Sequence, residues 1–405
     1  MMRPENPPQS ITKLWLVSGF VMIVVIALTL SRGFWTLTGR DAFFSLTLAS
    51  TAIVLLQVRP WTEALQLSGV TFVLLFVQTV ALKVPWSRGP AFALLGLSSL
   101  GLLALRMIWS VGEQRRRLRY AFLPPLLLVL MGYAGSVPLQ ITNQLHPRTL
   151  DLSLYAFDAS LGTQLSFVVG RIVLQSRWIR QMSLFWYYAL PPALMLVYAK
   201  QLVRHRTVAT TVFLTFFLVG PIGAIFYNLL PACGPVYLFG SGFPLHSLPA
   251  SEIRAMSIGP VTVSGTRNAF PSLHMAWALL AWWYSRELSG VTRFLVLLFL
   301  CGTVLATLGL GEHYFVDLVA AFPFALMMQA GCTLRIPLLD RRRLTPLLAG
   351  LLLTLGWVAL LRWGLKIVWW SPLIPWAMIV GTILCCIVLQ SRLGTVVFDG
   401  HDLTE

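Results

Sequence analysis

Apolar runs of about twenty residues recur along nearly the whole chain, and this feature limits the possible folds more than any other. A helix needs about 20 residues to cross roughly 30 Å of hydrocarbon. Inside a bilayer only helices and closed barrels satisfy their backbone hydrogen bonds, and these runs do not alternate as barrel strands do. The sequence therefore predicts an all-α polytopic membrane protein with about twelve transmembrane helices. The predicted spans are residues 13–31, 42–58, 64–83, 91–110, 120–138, 182–199, 208–230, 270–286, 291–311, 313–333, 344–364 and 367–390.

The composition supports a membrane protein and argues against other classes. Of the 405 residues, 57% are hydrophobic and 11% are charged, so a water-soluble domain would expose large apolar patches. The net charge of +16 raises the question of nucleic-acid binding. However, the Lys and Arg residues lie in short clusters at the ends of predicted spans rather than on a soluble basic surface. We therefore expect the bilayer as a partner, and no nucleic acid.

The same basic clusters predict the topology. They follow the fourth, sixth and tenth spans, which end on one side of a twelve-span chain, and the positive-inside rule places that side and both termini in the cytoplasm. The loops 139–181 and 231–269 then face outward. We expect a bacterial inner membrane with the active site facing the periplasm; the alternative is a Golgi or endoplasmic reticulum membrane with a lumenal site. The cluster residues are Arg115, Arg116, Arg117, Arg119, Lys200, Arg204, Arg206, Arg335, Arg341, Arg342 and Arg343.

Polar residues and long loops divide the chain into three predicted regions. Residues 1–114 form an N-terminal four-helix membrane region with no recognisable chemistry. Residues 115–335 form a six-helix core that contains the two longest outward loops, and long loops often carry function. Residues 336–405 form a Trp-rich two-helix region with a short tail. We expect this region to pack against the core or to anchor the protein at the membrane interface.

The first candidate site element is a His and an Asp inside an apolar run. Asp317 is the one acidic residue inside a long apolar segment, and a carboxylate in a bilayer is costly without a partner. His313 precedes it by four residues and so lies on the same helix face. The carboxylate would accept the imidazole N–H and fix its tautomer, which leaves the other nitrogen as a nucleophile. The alternative is a structural His–Asp pair.

The second element is RNAFPSLHMA at residues 267–276, where a predicted helix begins. Pro271 suits the first helical turn, and unpaired N–H groups at a helix start attract anions. We therefore expect Ser272, Leu273 and His274 to offer backbone donors to a phosphate. His274 falls on the same membrane face as His313. Alone, it would equally suit an ordinary histidine at a helix end.

The third element is the segment FYNLLPACGPVYLFG at residues 226–240, on the same predicted side. Its Tyr227, Pro231, Gly234 and Pro235 either shape the mouth of a pocket or simply end a helix.

The cysteines show no metal-binding pattern. A metal site built from two His and one Asp is the competing interpretation, but the carboxylate is better placed behind His313 than beside it. We expect no metal and no other cofactor.

These residues resemble the type-2 phosphatidic acid phosphatase superfamily. PSLH at 271–274 and HYFVD at 313–317 match its second and third motifs in order and spacing. The closer likeness is to the inositol phosphorylceramide synthase branch, in which AFPSLH and HYFVDL occur almost unchanged and a Pro-rich segment like LPACGP precedes them. The resemblance covers about residues 120–333. DASLGTQLSF, which begins at Asp158, is a weaker match to the Asp-containing entry region of that family.

The sequence also departs from the phosphatase pattern. The first motif of the phosphatases has a Lys and an Arg, which residues 226–240 lack, and Thr307 stands where an Arg is expected. The synthase-like branch is similarly poor in these cations. Phosphate charge must still be neutralised, and Arg267 beside the helix start is the best candidate.

The resemblance implies a mechanism and a class of substrates. His313 would attack phosphorus to form a phosphohistidine, Asp317 would orient it, and His274 would protonate the leaving oxygen. This agrees with the residues themselves, since a histidine with a carboxylate behind it is the better nucleophile. The donor would be a phospholipid and the acceptor a lipid alcohol such as ceramide. The alternatives are a phosphatase that uses water on a lipid phosphate or polyprenyl diphosphate, and a transporter that uses the His–Asp pair as a proton relay.

Overall fold

The computed structural model of the protein describes residues 41–58, 60–81, 83–84 and 86–398. These residues are almost entirely helical and contain no β-sheet; the one β-bridge among them joins Thr149 and Val261. The predicted all-α fold is confirmed. The described residues form two compact units, one within residues 1–133 and 198–206 and the other within residues 134–197 and 207–405.

In the described part of the first unit there are four long helices, two of which approach closely at a glycine. They are α1 (Ala42–Val58), α2 (Pro60–Phe76), α3 (Arg88–Trp109) and α4 (Gly112–Ala134). Gly96 of α3 lies directly against the Leu48 backbone of α1, so a side chain at this position would collide with it. Close approach through Gly is a common way to pack helices in lipid, where the hydrophobic effect does not drive association. An ion pair between the buried Glu63 and the partly exposed Arg106 joins α2 to α3.

The second unit contains the other helices. The division between the units falls within α9 and near the start of α10. In chain order the helices are α5 (Ser136–Leu145), α6 (Asp151–Ser160), α7 (Leu165–Gln175), α8 (Arg177–Tyr188), α9 (Leu190–Arg204), α10 (Arg206–Leu229), α11 (Pro235–Phe239), α12 (Ala250–Ala255), α13 (Leu273–Tyr284), α14 (Gly290–Gly309), α15 (Phe315–Cys332), α16 (Arg341–Ala359), α17 (Leu365–Val368) and α18 (Leu373–Phe398).

The number of membrane-spanning helices differs from the predicted twelve. In the described residues eight helices are long and apolar enough to span a membrane, or nine if the bent pair α8 and α9 forms one span. The predicted span 13–31 lies outside the described residues. The predicted span 42–58 is the 17-residue apolar helix α1. The predicted span 270–286 is only the 12-residue α13, about 18 Å long, because Ser272 caps its start and the chain turns after Tyr284.

The predicted outward loops contain helices of their own. Residues 139–181 include α6 and α7, and residues 231–269 include α11 and α12. In α6 nine of the ten residues are buried, among them Asp151 and Asp158, which lie seven residues apart on one face of the helix. Hydropathy missed α6 because its buried face is partly polar.

Helix α15 forms the centre of the second unit. All but three of its 18 residues are buried, and it packs against α13, α16 and α18. At its C-terminal end, the Arg343 guanidinium donates hydrogen bonds of 3.0, 2.8 and 2.7 Å to the carbonyls of Ala330, Gly331 and Ile336. The last two long helices therefore pack on the helix that carries the predicted site. The predicted boundary at 335/336 is not a boundary between the compact units.

Candidate active site

The site forms where the starts of α13 and α15 meet. Ser272 is the N-cap of α13, and its hydroxyl oxygen accepts a hydrogen bond from the Met275 N–H at 3.3 Å. Its own N–H donates to the Asp317 carbonyl oxygen at 3.1 Å, which ties the two helix starts together. As a result the rings of His274 and His313 lie 6.5 Å apart, centroid to centroid. The structure thus brings together the three residues that the sequence singled out.

His313 is held by two groups rather than one. Its Nδ1 lies 2.9 Å from the Ala269 carbonyl oxygen and 3.4 Å from Oδ2 of Asp317. Because a carbonyl oxygen can only accept, Nδ1 carries the hydrogen and Nε2 carries the lone pair. The sequence predicted the contact with Asp317, but it gave no sign of the Ala269 carbonyl. An imidazole in this tautomer offers Nε2 as a nucleophile.

Asp317 also caps the helix that it belongs to. Its Oδ2 accepts a hydrogen bond of 2.8 Å from the Tyr314 N–H, in the arrangement of a capping box. Its Oδ1 is buried and has no hydrogen-bond partner within the described part of the chain. Asp317 therefore contributes both to the start of α15 and to the surroundings of His313.

Two buried carboxylates of α6 hold the segments around His313. Asp158 accepts hydrogen bonds from the N–H groups of Phe315 and Val316 at 2.7 and 3.1 Å, at the start of α15. Asp151 accepts from the N–H of Gly234 at 2.9 Å and from the Tyr314 hydroxyl at 3.0 Å. Asp158 was predicted from the sequence as a pocket residue. Asp151 was missed, and its seven-residue spacing from Asp158 is the signal that could have revealed it.

The Pro- and Gly-rich segment packs against the turn that carries His313. Gly234 has φ +116° and lies so close to the Glu312 carbonyl that a Cβ atom would collide with it. Pro231 accepts a hydrogen bond of 2.7 Å from the Leu150 N–H, and Pro235 begins α11. Tyr227 is buried near the end of α10. Of these predicted pocket residues, Gly234 packs against the backbone of Gly311 and Glu312. A pocket-forming role for the others, and contact with a substrate, stay predictions.

Three residues that the sequence did not indicate also surround the histidines. The Tyr187 ring stacks on His274 with centroids 4.2 Å apart and the planes 23° apart. The carboxylate of Glu312, next to His313 in the chain, accepts a hydrogen bond from the Tyr237 hydroxyl, with O–O distances of 3.2 and 3.4 Å. The position of Glu312 beside His313 was visible in the sequence. Tyr237 lies within the 226–240 segment but was not singled out, and nothing in the sequence connected Tyr187 with the site.

Burial controls the charge of these groups. It lowers the pKa of His313 to about 4, although the neighbouring Glu312 carboxylate acts in the opposite direction. The imidazole of His313 is therefore neutral at neutral pH, as a nucleophile requires. Burial raises the pKa of Glu312, and it raises the pKa of Asp158 to about 8.

The predicted phosphate-binding groups are partly engaged within the fold. The buried Arg267 donates from Nε to the His146 carbonyl at 3.0 Å and from Nη2 to the Pro147 carbonyl at 3.2 Å, and Nη1 contacts the Gly265 carbonyl. These bonds favour a structural role in which Arg267 joins two loops.

The starting region of α13 differs in detail from the prediction. Pro271 and Ser272 precede the helix rather than forming its first turn, because Ser272 is the N-cap. The Ser272 N–H already donates a hydrogen bond to the backbone carbonyl of Asp317. Leu273 and His274 are the first two residues of α13. Phosphate binding by their N–H groups, and by Arg267, stays a prediction.

The described residues contain no group of three or more His, Cys, Asp or Glu arranged to hold a metal ion. The alternative of a metal site built from two His and one Asp therefore has no geometric support in this part of the chain. His313 and Asp317 instead face each other as an imidazole and its partner carboxylate.

Fold and site together define a polytopic all-helical membrane protein with two histidines and a carboxylate at the junction of two helix starts. Residues 152–331 match the family model of the PAP2 superfamily, a stretch that includes Asp158, His274, His313 and Asp317. The match supports a phosphatase- or phosphotransferase-type enzyme that acts on lipids, and it does not distinguish the inositol phosphorylceramide synthase branch. No curated protein and no solved structure matches the chain.

Proposed function

We propose that this protein transfers a phospho-headgroup from a phospholipid to a lipid alcohol, through a phosphohistidine on His313. The observation that carries the proposal is the environment of His313. Its imidazole is buried and neutral, and its Nδ1 is engaged by the Ala269 carbonyl. Nε2 is therefore the nitrogen that attacks phosphorus, with His274 close enough to act on the same phosphate.

The reaction has two steps that share one intermediate. In the first, Nε2 of His313 forms a bond to phosphorus, the bond from phosphorus to the diacylglycerol oxygen breaks, and His274 gives that oxygen a proton. An anionic phosphate beside His274 favours the protonated imidazole that this step needs. In the second step the acceptor hydroxyl attacks phosphorus, its proton passes to His274, and the bond to His313 breaks. Asp317 stabilises the positive charge that develops on His313.

The charges around His313 favour a phosphodiester donor. In the described residues no hydrogen bond or ion pair joins a Lys or Arg to His313, Asp317 or Glu312. A phosphate monoester or diphosphate carries more negative charge than a diester and needs more cations. The buried surroundings of His313 also limit access by water, which favours an acceptor alcohol from the membrane.

The alternative is a lipid phosphatase that uses the same phosphohistidine and transfers it to water. The PAP2 match supports both activities, because they differ only in the acceptor. Thus the same experiment tests both.

Purified protein would be incubated with phosphatidylinositol labelled in its headgroup, with and without ceramide. We expect a labelled headgroup–ceramide product and an acid-labile phosphoenzyme. His313→Ala should abolish both, whereas His246→Ala, at an exposed histidine of the 231–269 segment, should leave both unchanged. Rapid release of inorganic phosphate from phosphatidic acid, with no transfer product from any phospholipid, would replace the proposal with the phosphatase.

A further inference from the structure

The carboxylate of Glu312 has no assigned role, yet it lies next to the reacting histidine. Glu312 directly precedes His313, so their Cα atoms are about 3.8 Å apart. The side chain is partly exposed, so a substrate can approach it. In the described residues no Lys or Arg nitrogen lies within the 4.0 Å of an ion pair from its carboxylate. When ionised, Glu312 thus places a negative charge in this part of the site without a neighbouring cation.

The surrounding chain keeps this carboxylate in place. The Tyr237 hydroxyl donates to both of its oxygens, at 3.2 and 3.4 Å. The Val236 N–H donates to the Gly311 carbonyl at 3.0 Å, and the Tyr237 ring packs closely on Gly265. The turn before Glu312 is therefore joined to α11 by backbone and side-chain bonds. The Tyr237 hydroxyl donates its hydrogen to Glu312. The pair therefore offers a substrate hydrogen-bond acceptors and no donor.

A fixed, uncompensated carboxylate beside a phosphate site discriminates by charge. A phosphodiester brings one negative charge to His313, a monoester up to two, and a diphosphate more. Each additional charge near Glu312 raises the cost of binding, and the effect is large because the site is partly buried. The carboxylate lone pairs can also accept hydrogen bonds from a headgroup that carries donors.

We propose that Glu312, held by Tyr237, selects lipid phosphodiesters with hydrogen-bond-donating headgroups and disfavours phosphate monoesters and diphosphates. This inference rests on the proposed phosphohistidine chemistry at His313. It assigns substrate selection to a residue that takes no part in forming or breaking bonds.

The test compares Glu312→Gln with the wild-type protein on two lipids. Glutamine has nearly the same shape but no charge. The ratio of kcat/KM for phosphatidic acid to kcat/KM for phosphatidylinositol should rise about tenfold or more, which is the order expected for one unit charge several ångströms away. Glu252→Gln, at an exposed residue of α12, should leave the ratio unchanged. A ratio that stays within threefold of the wild-type value, or that falls, would overturn the inference.

Inhibition by inorganic phosphate gives a second readout that needs no knowledge of the natural lipid. Glu312→Gln should lower the inhibition constant of phosphate at pH 8, where phosphate is a dianion. Tyr237→Phe keeps the charge and releases the carboxylate, so it should weaken selection less than Glu312→Gln does. If Glu312→Gln does not purify as a folded protein, this variant still tests the inference, because an unchanged ratio in Tyr237→Phe would contradict the role of the pair.

Phosphatidylethanolamine and phosphatidylcholine distinguish the two sources of donors. Hydroxyl and ammonium headgroups both donate hydrogen bonds, whereas choline does not. The wild-type protein should prefer phosphatidylinositol or phosphatidylethanolamine to phosphatidylcholine, and this preference should disappear in Glu312→Gln. The preferred lipid then shows whether hydroxyl or ammonium groups are the hydrogen-bond donors. Equal use of all three lipids by the wild-type protein would contradict headgroup recognition.

The two proposals fail separately. Suppose the wild-type protein transfers no headgroup but Glu312→Gln still accelerates hydrolysis of phosphatidic acid. In that case the proposed transfer fails and charge selection by Glu312 stands. Suppose instead that the protein transfers the headgroup and that Glu312→Gln does not change the ratio of kcat/KM for phosphatidic acid to kcat/KM for phosphatidylinositol. In that case the proposed transfer stands and charge selection by Glu312 fails.

Discussion

Replacing Asp317 with Asn tests how His313 is oriented. In serine proteases, loss of the orienting carboxylate lowers kcat about 10⁴-fold because the histidine then takes the wrong tautomer. Here the Ala269 carbonyl lies 2.9 Å from Nδ1 of His313, closer than Oδ2 of Asp317 at 3.4 Å. The carbonyl stays in place in Asp317→Asn, so we expect His313 to keep its tautomer.

The variant should therefore lose only the interaction between the His313 imidazole and the negative charge of Asp317. A hydrogen bond to a charged group contributes about 1.5–3 kcal/mol, which corresponds to roughly a tenfold to 150-fold change in rate. The Asn side-chain oxygen can still accept from the Tyr314 N–H, and the amide nitrogen replaces the Oδ1 of Asp317, which makes no hydrogen bond in the described residues. The helix start should thus survive. We expect a loss in the upper part of this range.

The assay is rapid-quench measurement of phosphoenzyme formation, compared with thermal unfolding in detergent. Asp317→Asn should slow formation with a small change in melting temperature. Asp317→Ala should also unfold at a lower temperature, because it leaves the Tyr314 N–H without its acceptor. A 10⁴-fold loss in Asp317→Asn with an intact fold would show that the carboxylate alone orients His313, and an unchanged rate would remove Asp317 from the chemistry.

The structure supports four further predictions. Arg343→Met should lower stability by several kcal/mol, since about 1.5–3 kcal/mol is typical for each charged hydrogen bond, whereas the exposed neighbour Arg342→Met should change the melting temperature little. Gly96→Val should prevent close packing on Leu48 and reduce the yield of folded protein in detergent, a result that normal yield would contradict. His313 with a pKa of about 4 predicts that kcat/KM for phosphoenzyme formation stays level from pH 7 to about pH 5, and an acidic limb centred near 6.5 would refute this. Because the unfolded histidine takes up a proton below about pH 6.5 and the folded one only near 4, its contribution to stability should fall as pH drops through that range.

The sequence predicted those parts of the molecule that follow from periodicity and from unusual residues. Apolar runs predicted the helices, and the isolated acid Asp317 with His313 four residues earlier pointed to one half of the candidate site. The helix start before His274 predicted the other half, although α13 proved too short to span a membrane. These features are local in the chain, so one sequence contains them.

The remaining parts of the site depend on contacts between distant segments. The Ala269 carbonyl that holds His313 is backbone, which any residue type supplies. Tyr187 reaches His274 from another helix, and tyrosine is common at membrane interfaces for other reasons. Arg267 looked suitable for phosphate because of its position, and only the fold shows its bonds to loop carbonyls.

The hydrogen bonds of Arg343 to the end of α15 bear on how much of the chain is needed to form the helix bundle. The PAP2 match ends at residue 331, but the side chain that completes the end of α15 lies beyond it. On the opposite side of the match, Asp151 precedes its first residue and still anchors Gly234. A fragment cut at the limits of the family match would therefore lose a support at each end of the helix bundle that carries the candidate site. We therefore expect a fragment meant for transplantation or fusion to need more of the chain than residues 152–331.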